Sequence, residues 1–181
     1  AATDGANTMA MPAAAGPISL IADRLEITLA ATAAWSSLTG ATIHHNALPE
    51  KADGEPHTLD ELVAQRPFAR IWTTDDGIQW KRDTARGGAC VSAVGELIIH
   101  IERNTPTGLE SNEADRDFEN LIGQICNGTA ENPGLMNLAG DARYLPITRL
   151  SLLDHSRTDR SKRKSIGDAQ RAFLLVQWSN E

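Results

Sequence analysis

LPITRLSLLD (145–154), HSRTDRSKRKSIGDAQ (155–170) and RAFLLVQWSNE (171–181) are the three consecutive stretches on which the fold reading turns. The first and last are apolar and of strand length, and the middle one is a polar, strongly basic crossover. Along the last, Ala172, Leu174, Val176 and Trp178 alternate with Arg171, Phe173, Leu175 and Gln177. That is the two-residue period of a strand whose second face is also partly apolar. One face of such a sheet meets the protein's own helices, and the other needs a neighbouring subunit or a long loop over it; the subunit is the favoured cover. Between 157 and 164 the crossover carries Arg157, Arg160, Lys162, Arg163 and Lys164 against a single acid, in a chain of formal net charge -7. A basic tract in so acidic a chain suits an acidic protein surface or the edge of a channel used by DNA, where it would steer rather than read bases.

Upstream, LESNEADRDFENLIGQIC (109–126) places Ala114, Phe118, Leu121, Ile122 and Ile125 on one side of a helix. Glu113, Asp115 and Asp117 in its early turns suit the positive end of the helix dipole. Before it, ACVSAVGELIIHIER (89–103) is a long extended segment. Leu97, Ile99 and Ile101 point one way, and Ile98, His100 and Glu102 the other, with Gly95 marking a bulge or a sharp coil. RPFARIWTTDDGIQWKRD (66–83) reads as a hairpin, 68–73 paired with 78–82 across a turn holding Asp75, Asp76 and Gly77. A second turn follows at Arg86, Gly87 and Gly88.

Nearer the N-terminus, Ile18, Ile21, Leu25, Leu29, Thr32 and Trp35 form an apolar stripe. It predicts one amphipathic helix of about five turns, begun by Pro17 and ended by Gly40. Residues 41–60 read as an excursion broken by Gly54 and two prolines, with a short helical turn near 59–63. Residues 1–16 read as a flexible arm. Helix, three strands, helix and two strands together predict an α+β domain over 17–181. Its sheet is mixed or antiparallel, and two main helices pack on one face.

A length of 181 residues suits one domain with a real core. The acidic balance argues against nucleic-acid binding by the whole surface. No apolar run of about 18 residues is present, so no transmembrane helix is expected, and the opening residues lack the basic leader and apolar core of a signal peptide. Cys90 and Cys126 read as buried thiols of an intracellular protein rather than a disulfide.

Motifs for chemistry are sparse. No glycine-rich phosphate loop or GxSxG elbow occurs. His44 and His45 are adjacent, without HExxH or a carboxylate at i+4, and read as surface loop residues rather than zinc ligands. His57, His100 and His155 read as solvent-facing or locally hydrogen-bonded. Asp75, Asp76, Glu96 and Glu102 with Lys81 are the nearest approach to a metal-dependent nuclease set, but aspartates in a turn have a conformational reason to be there. Trp72, Trp80 and Trp178 lie on strands and suit a core. No catalytic, cofactor-binding or metal-binding residue is expected.

The N-terminal amphipathic helix, the PFARIWTTDD to LIIHIER sheet, the DRDFENLIGQI helix and the final ITRLSLLDHSRTDR and GDAQRAFLLVQWSNE strands resemble the tail terminator proteins of long-tailed, siphovirus-like bacteriophages. The Ser156-Arg157-Thr158-Asp159 and Gly167-Asp168 steps are the more recognisable parts, and the likeness spans about 17–181. It implies a structural virion protein, assembled in the host cytoplasm, that forms a homo-hexameric ring at the head-proximal end of the tail. Such a ring stops polymerisation of the tail tube protein, offers a surface to a head completion or connector protein, and leaves a lumen through which DNA passes without sequence-specific binding. It implies no enzyme activity, cofactor or membrane. The arm and the 41–60 excursion exceed what a minimal member needs. Within this reading the tube-facing contact falls on Thr74, Asp75, Asp76 and Gly77 and on Arg86, Gly87 and Gly88. The contact between subunits falls on 89–103, and Arg157, Arg160, Lys162, Arg163 and Lys164 form a loop (155–168) for a protein partner or the lumen edge. The alternatives are a head-tail connector adaptor on the portal side and, more remotely, the nuclease.

Overall fold

The computed structural model describes residues 17–45, 51–55, 57–58, 61, 64–83, 90–138, 143–157 and 169–179. Within them lie five strands, β1 (Thr42–His45), β2 (Phe68–Asp83), β3 (Cys90–Asn104), β4 (Ile147–Arg157) and β5 (Ala169–Ser179). The helices are α1 (Pro17–Ala30), α2 (Ala33–Ser36), α3 (Ser111–Asn127) and α4 (Leu135–Leu138). The strands form one sheet in the order β1-β2-β3-β5-β4. β1 runs parallel to β2, and the remaining neighbours are antiparallel. The chain is therefore α+β with a mixed sheet. No described helix is long and apolar enough to cross a membrane.

Alternation in β3 and β5 builds the core as the sequence predicts. The register aligns Ile71, Ile99 and Leu174 in one row and Ala69, Ile101 and Ala172 in the next. With Leu97, Val176 and Trp178 they are buried against Leu25 and Leu29 of α1 and Phe118, Ile122 and Ile125 of α3. Both main helices thus cover the same sheet face. Each fully buried aliphatic side chain in that layer contributes about 1.5–3 kcal/mol.

Polar side chains fix where each helix sits. Thr28 of α1 is buried, and its Oγ1 accepts from the Leu145 backbone N–H at 2.9 Å. Arg24 one turn earlier donates to the Tyr144 carbonyl at 2.6 Å. Those two bonds tie α1 to the segment that enters β4. On the other side, buried Gln170 donates to the Ala114 carbonyl at 2.8 Å and accepts from Arg103 Nε at 3.0 Å. Arg103 also reaches Asp117 at 2.7 Å, so α3 is pinned across β3 and β5 near its own start.

Three expectations are corrected. The predicted five-turn helix is two helices, because Thr32 adopts an extended backbone (ψ 131°) and turns its Oγ1 back to the Leu29 carbonyl at 2.8 Å. A threonine hydroxyl that bonds the preceding turn competes with the helix ladder. The predicted hairpin within 68–82 is a single strand: β2 continues through 74–77 and is interrupted only by an irregularity. From Thr73 to Ile78 it advances five residues while β3 steps back two, from Leu97 to Gly95. The extra residues are a bulge, which the Asp-Asp-Gly composition imitates as a turn. Finally, the excursion opens with strand β1, which periodicity could not show in four residues. Of the helical turn expected at 59–63, only Glu61 lies among the described residues; it is helical, and its carboxylate accepts from the Thr58 backbone N–H at 2.8 Å.

Candidate assembly surfaces

The two ends of the sheet carry different connections. β3 pairs with β5 only from Val94 onward, whereas its pairing with β2 continues to Asp83 and Cys90. Among the described residues, 80–83 and 90–93 therefore extend as a two-stranded ribbon beyond Ser179 of β5, with Ala93 at its base still buried in the core. Arg86, Gly87 and Gly88 fall between those strand ends and lie outside the described residues. At the opposite end, Arg157 pairs with Gln170, and Asn104 with Ala169. Arg160, Lys162, Arg163 and Lys164 fall between Arg157 and Ala169, also outside the described residues. The 15 residues of β3 place the two ends about 45 Å apart.

This geometry separates residues that the sequence reading joined. Thr74, Asp75, Asp76 and Gly77 sit at the bulge of β2, and Gly77 is about 20 Å along the strand from Asp83. They lie well away from Asp83 and Cys90, the described strand ends that flank Arg86, Gly87 and Gly88. From Val94 onward β3 is paired on both sides, so a contact between subunits there has only side chains to use, whereas 90–93 pair with β2 alone among the described residues. Among the described strands the outer edges are β1, the part of β2 beyond Ile71 that β1 does not cover, and β4.

The sheet face turned away from α1 and α3 holds a charged and aromatic layer. Phe68, Glu102 and Arg171 form one row, Arg70, His100 and Phe173 the next, and Trp72, Ile98 and Leu175 the third. His100 was expected in solvent or in a local hydrogen bond. Instead it is buried at 6% exposure and stacked on Phe173, with ring centroids 4.5 Å apart. Phe68 and Trp72 meet the same imidazole edge-on at 6.0 and 6.4 Å. Alternation put His100 on this face correctly; what hid its burial is that Phe68, Trp72 and Phe173, on the two neighbouring strands, close around the ring.

Glu102 lies at the centre of the charges. Arg66 donates to it through Nε at 2.7 Å and also contacts it through its terminal nitrogen, while Arg171 Nε donates at 2.9 Å. His100 Nε2 stands 3.3 Å from the same carboxylate, close enough for electrostatic influence but off the line of a hydrogen bond. Burial alone would raise the Glu102 carboxyl. The neighbouring His100 and the charges of Arg66 and Arg171 outweigh it and hold the group at about 2. Glu96, six residues away on the same strand, accepts from Gln177 at 2.6 Å. About 20 Å of strand separates these two acids, so Glu96 and Glu102 do not join in one catalytic constellation.

At the β4 edge, the helix-covered face opens into an apolar cavity of about 310 Å³. Ile122, Gly123 and Cys126 of α3 form one wall, and Leu150, Leu152 and Leu174 the other. Leu152 and Leu153 are more than half exposed. Burial raises the Cys126 thiol to about 11, so it stays protonated and behaves as a small apolar wall. α1 packs on β2, nearer the opposite edge, and carries exposed Leu20 and Ile27 seven residues apart on one outward stripe.

A further cluster joins parts distant in sequence: Asp23 and Glu26 of α1 flank His45 of β1. The search for a carboxylate at i+4 of the histidines could not find partners some twenty residues earlier. No protein-family model matches the chain, and no curated protein matches it significantly.

Proposed function

We propose that this chain is a ring-forming structural protein of a long-tailed bacteriophage tail, one that caps the head-proximal end of the tail tube, ends its polymerisation and presents the head-attachment surface. The resemblance of its strands and helices to tail terminator proteins supplies the name. Its chief physical support is the open apolar cavity between α3 and β4, the outer strand among those described, beside exposed Leu152 and Leu153. Apolar surface at a sheet edge, with the strand's own hydrogen-bonding groups unpaired, favours association with another chain. Exposed Leu20 and Ile27 on α1 supply a second, unlike apolar patch. Contacts between unlike patches are heterologous and generate rings when the rotation closes.

The distribution of loops supports the same role. A terminator needs two different axial faces, one that matches the tube and one that does not propagate it. Asp83 and Cys90, which flank the β2–β3 connection, and Arg157 and Ala169, which flank the basic β4–β5 connection, stand at opposite ends of the sheet. The two ends are suited to two different partners, while the sheet edges serve lateral contacts. No chemical step is required.

Deletion of the gene from its phage tests the role. Overlong, headless tubes are expected, and tails of normal length would refute termination. Cross-linking within assembled virions distinguishes neighbours: links to tube protein support the terminator position, whereas links confined to portal-side proteins identify a connector adaptor.

A further inference from the structure

We propose that Asp23, Glu26 and His45 form a binding site for a divalent transition-metal cation of the zinc class, joining α1 to the edge strand β1. The proposal is independent of the assembly reading. Its basis is how the fold treats two adjacent histidines. β1 lies parallel to β2 with His44 opposite Arg70 and His45 opposite Ile71. Alternation therefore sends the two imidazoles to opposite faces. His44 turns to the outer face, where its ring meets Phe68 edge-on at 6.5 Å and its Nε2 lies 2.9 Å from Thr42 Oγ1. His45 turns to the Ile71 face, where α1 packs.

On α1, Asp23 and Glu26 are one turn apart and project toward that imidazole. His45 Nδ1 is 3.4 Å from Asp23 Oδ1, and Nε2 is 2.8 Å from Glu26 Oε2. One donor atom from each of the three residues lies within 4.8 Å of the others. The short Nε2 contact is not a hydrogen bond: that nitrogen is shielded from solvent and has no hydrogen-bond partner despite the nearby oxygen. A ring nitrogen and a carboxylate oxygen are thus held close in a geometry that a shared proton does not satisfy. A cation seated to one side of the pair and bonded to each atom satisfies both.

The donor set selects the metal. Zinc takes imidazole nitrogen and carboxylate oxygen at about 2.0–2.2 Å, which spaces tetrahedral donors about 3.4 Å apart. Reaching that spacing means opening the 2.8 Å Nε2–Glu26 pair slightly and drawing Asp23 in from the Nδ1 side, and the two acids, 51% and 44% exposed, have room for such movement. Nε2 and Glu26 supply two ligands, Asp23 the third, and water completes the shell. Magnesium and calcium favour shells made of oxygen, so the imidazole discriminates against them.

Tag-free full-length protein, stripped with chelator and titrated calorimetrically with zinc chloride, should take up one equivalent per chain. Its melting temperature should rise with zinc by linkage. Magnesium chloride should do neither. His45→Ala, and separately Asp23→Asn with Glu26→Gln, should weaken zinc binding at least about tenfold while the circular dichroism of the fold is kept, and His44→Ala should leave binding intact. Failure of the wild-type protein to bind one equivalent overturns the site whatever the variants do. So does binding that survives His45→Ala, or equal uptake of magnesium, which would mark an acidic patch.

Discussion

Glu102 shows how one residue sets the chemistry of a whole face. Its carboxylate is buried, yet two arginines hold it charged. Replacement by glutamine leaves Arg66 and Arg171 without their anion, and loss of one member of a buried pair costs about 3–5 kcal/mol. Urea denaturation of Glu102→Gln should show that loss at neutral pH. The pH dependence follows from the direction of the shift. The folded carboxyl titrates near 2 and the unfolded one near its ordinary value of 4.5, so its stabilisation is fully present above 4.5 and is lost as pH falls toward 2. The wild type should lose about 3 kcal/mol over that window from this group, and Glu102→Gln should lack that component. Equal acid sensitivity in both proteins would contradict the network. Thr28 is a smaller case. Thr28→Val keeps the shape but leaves the Leu145 N–H buried without an acceptor, a cost of about 1–3 kcal/mol in the same measurement, whereas Thr28→Ser should retain most of the stability.

At the scale of elements, legibility follows length and period. β3 and β5 are readable because buried and outward residues alternate over many positions, and α3 because Ala114, Phe118, Ile122 and Ile125 repeat at helical spacing. β1 is too short to establish a period, and its parallel place beside β2 depends on pairing that no local pattern encodes. Thr32 breaks the first helix although it fits the apolar stripe, since its hydroxyl finds the Leu29 carbonyl. Asp75, Asp76 and Gly77 read as a turn because a bulge and a turn draw on the same residue types; continued pairing beyond Ile78 decides between them. The sequence marks Gly95 as a bulge or sharp coil of β3, whereas β3 pairs with β5 without a break there and the irregularity lies on β2; packing is what calls for glycine, since a Cβ would sit 3.0 Å from Cζ2 and Nε1 of buried Trp178. Gly95→Val should therefore destabilise the fold by about 1–3 kcal/mol through overpacking, read as a lowered denaturation midpoint.

For the whole molecule, the candidate surfaces were only partly legible. The apolar second face of β5 and the anomalous basic crossover stand out in the sequence. The α3–β4 cavity does not, because its walls, Cys126 and Leu152, come from elements that meet only in the folded chain. If that cavity is a lateral contact, Leu152→Asp should abolish assembly in light scattering. It should shift the subunit's own stability by no more than about 0.5 kcal/mol, since the side chain is already more than half exposed. The ring itself is tested most directly by native mass spectrometry with negative-stain imaging of the purified chain at micromolar concentration, alone and mixed with tail tube protein. A six-fold mass and a closed ring with a central opening are predicted, and a monomer that persists under both conditions would contradict the assembly.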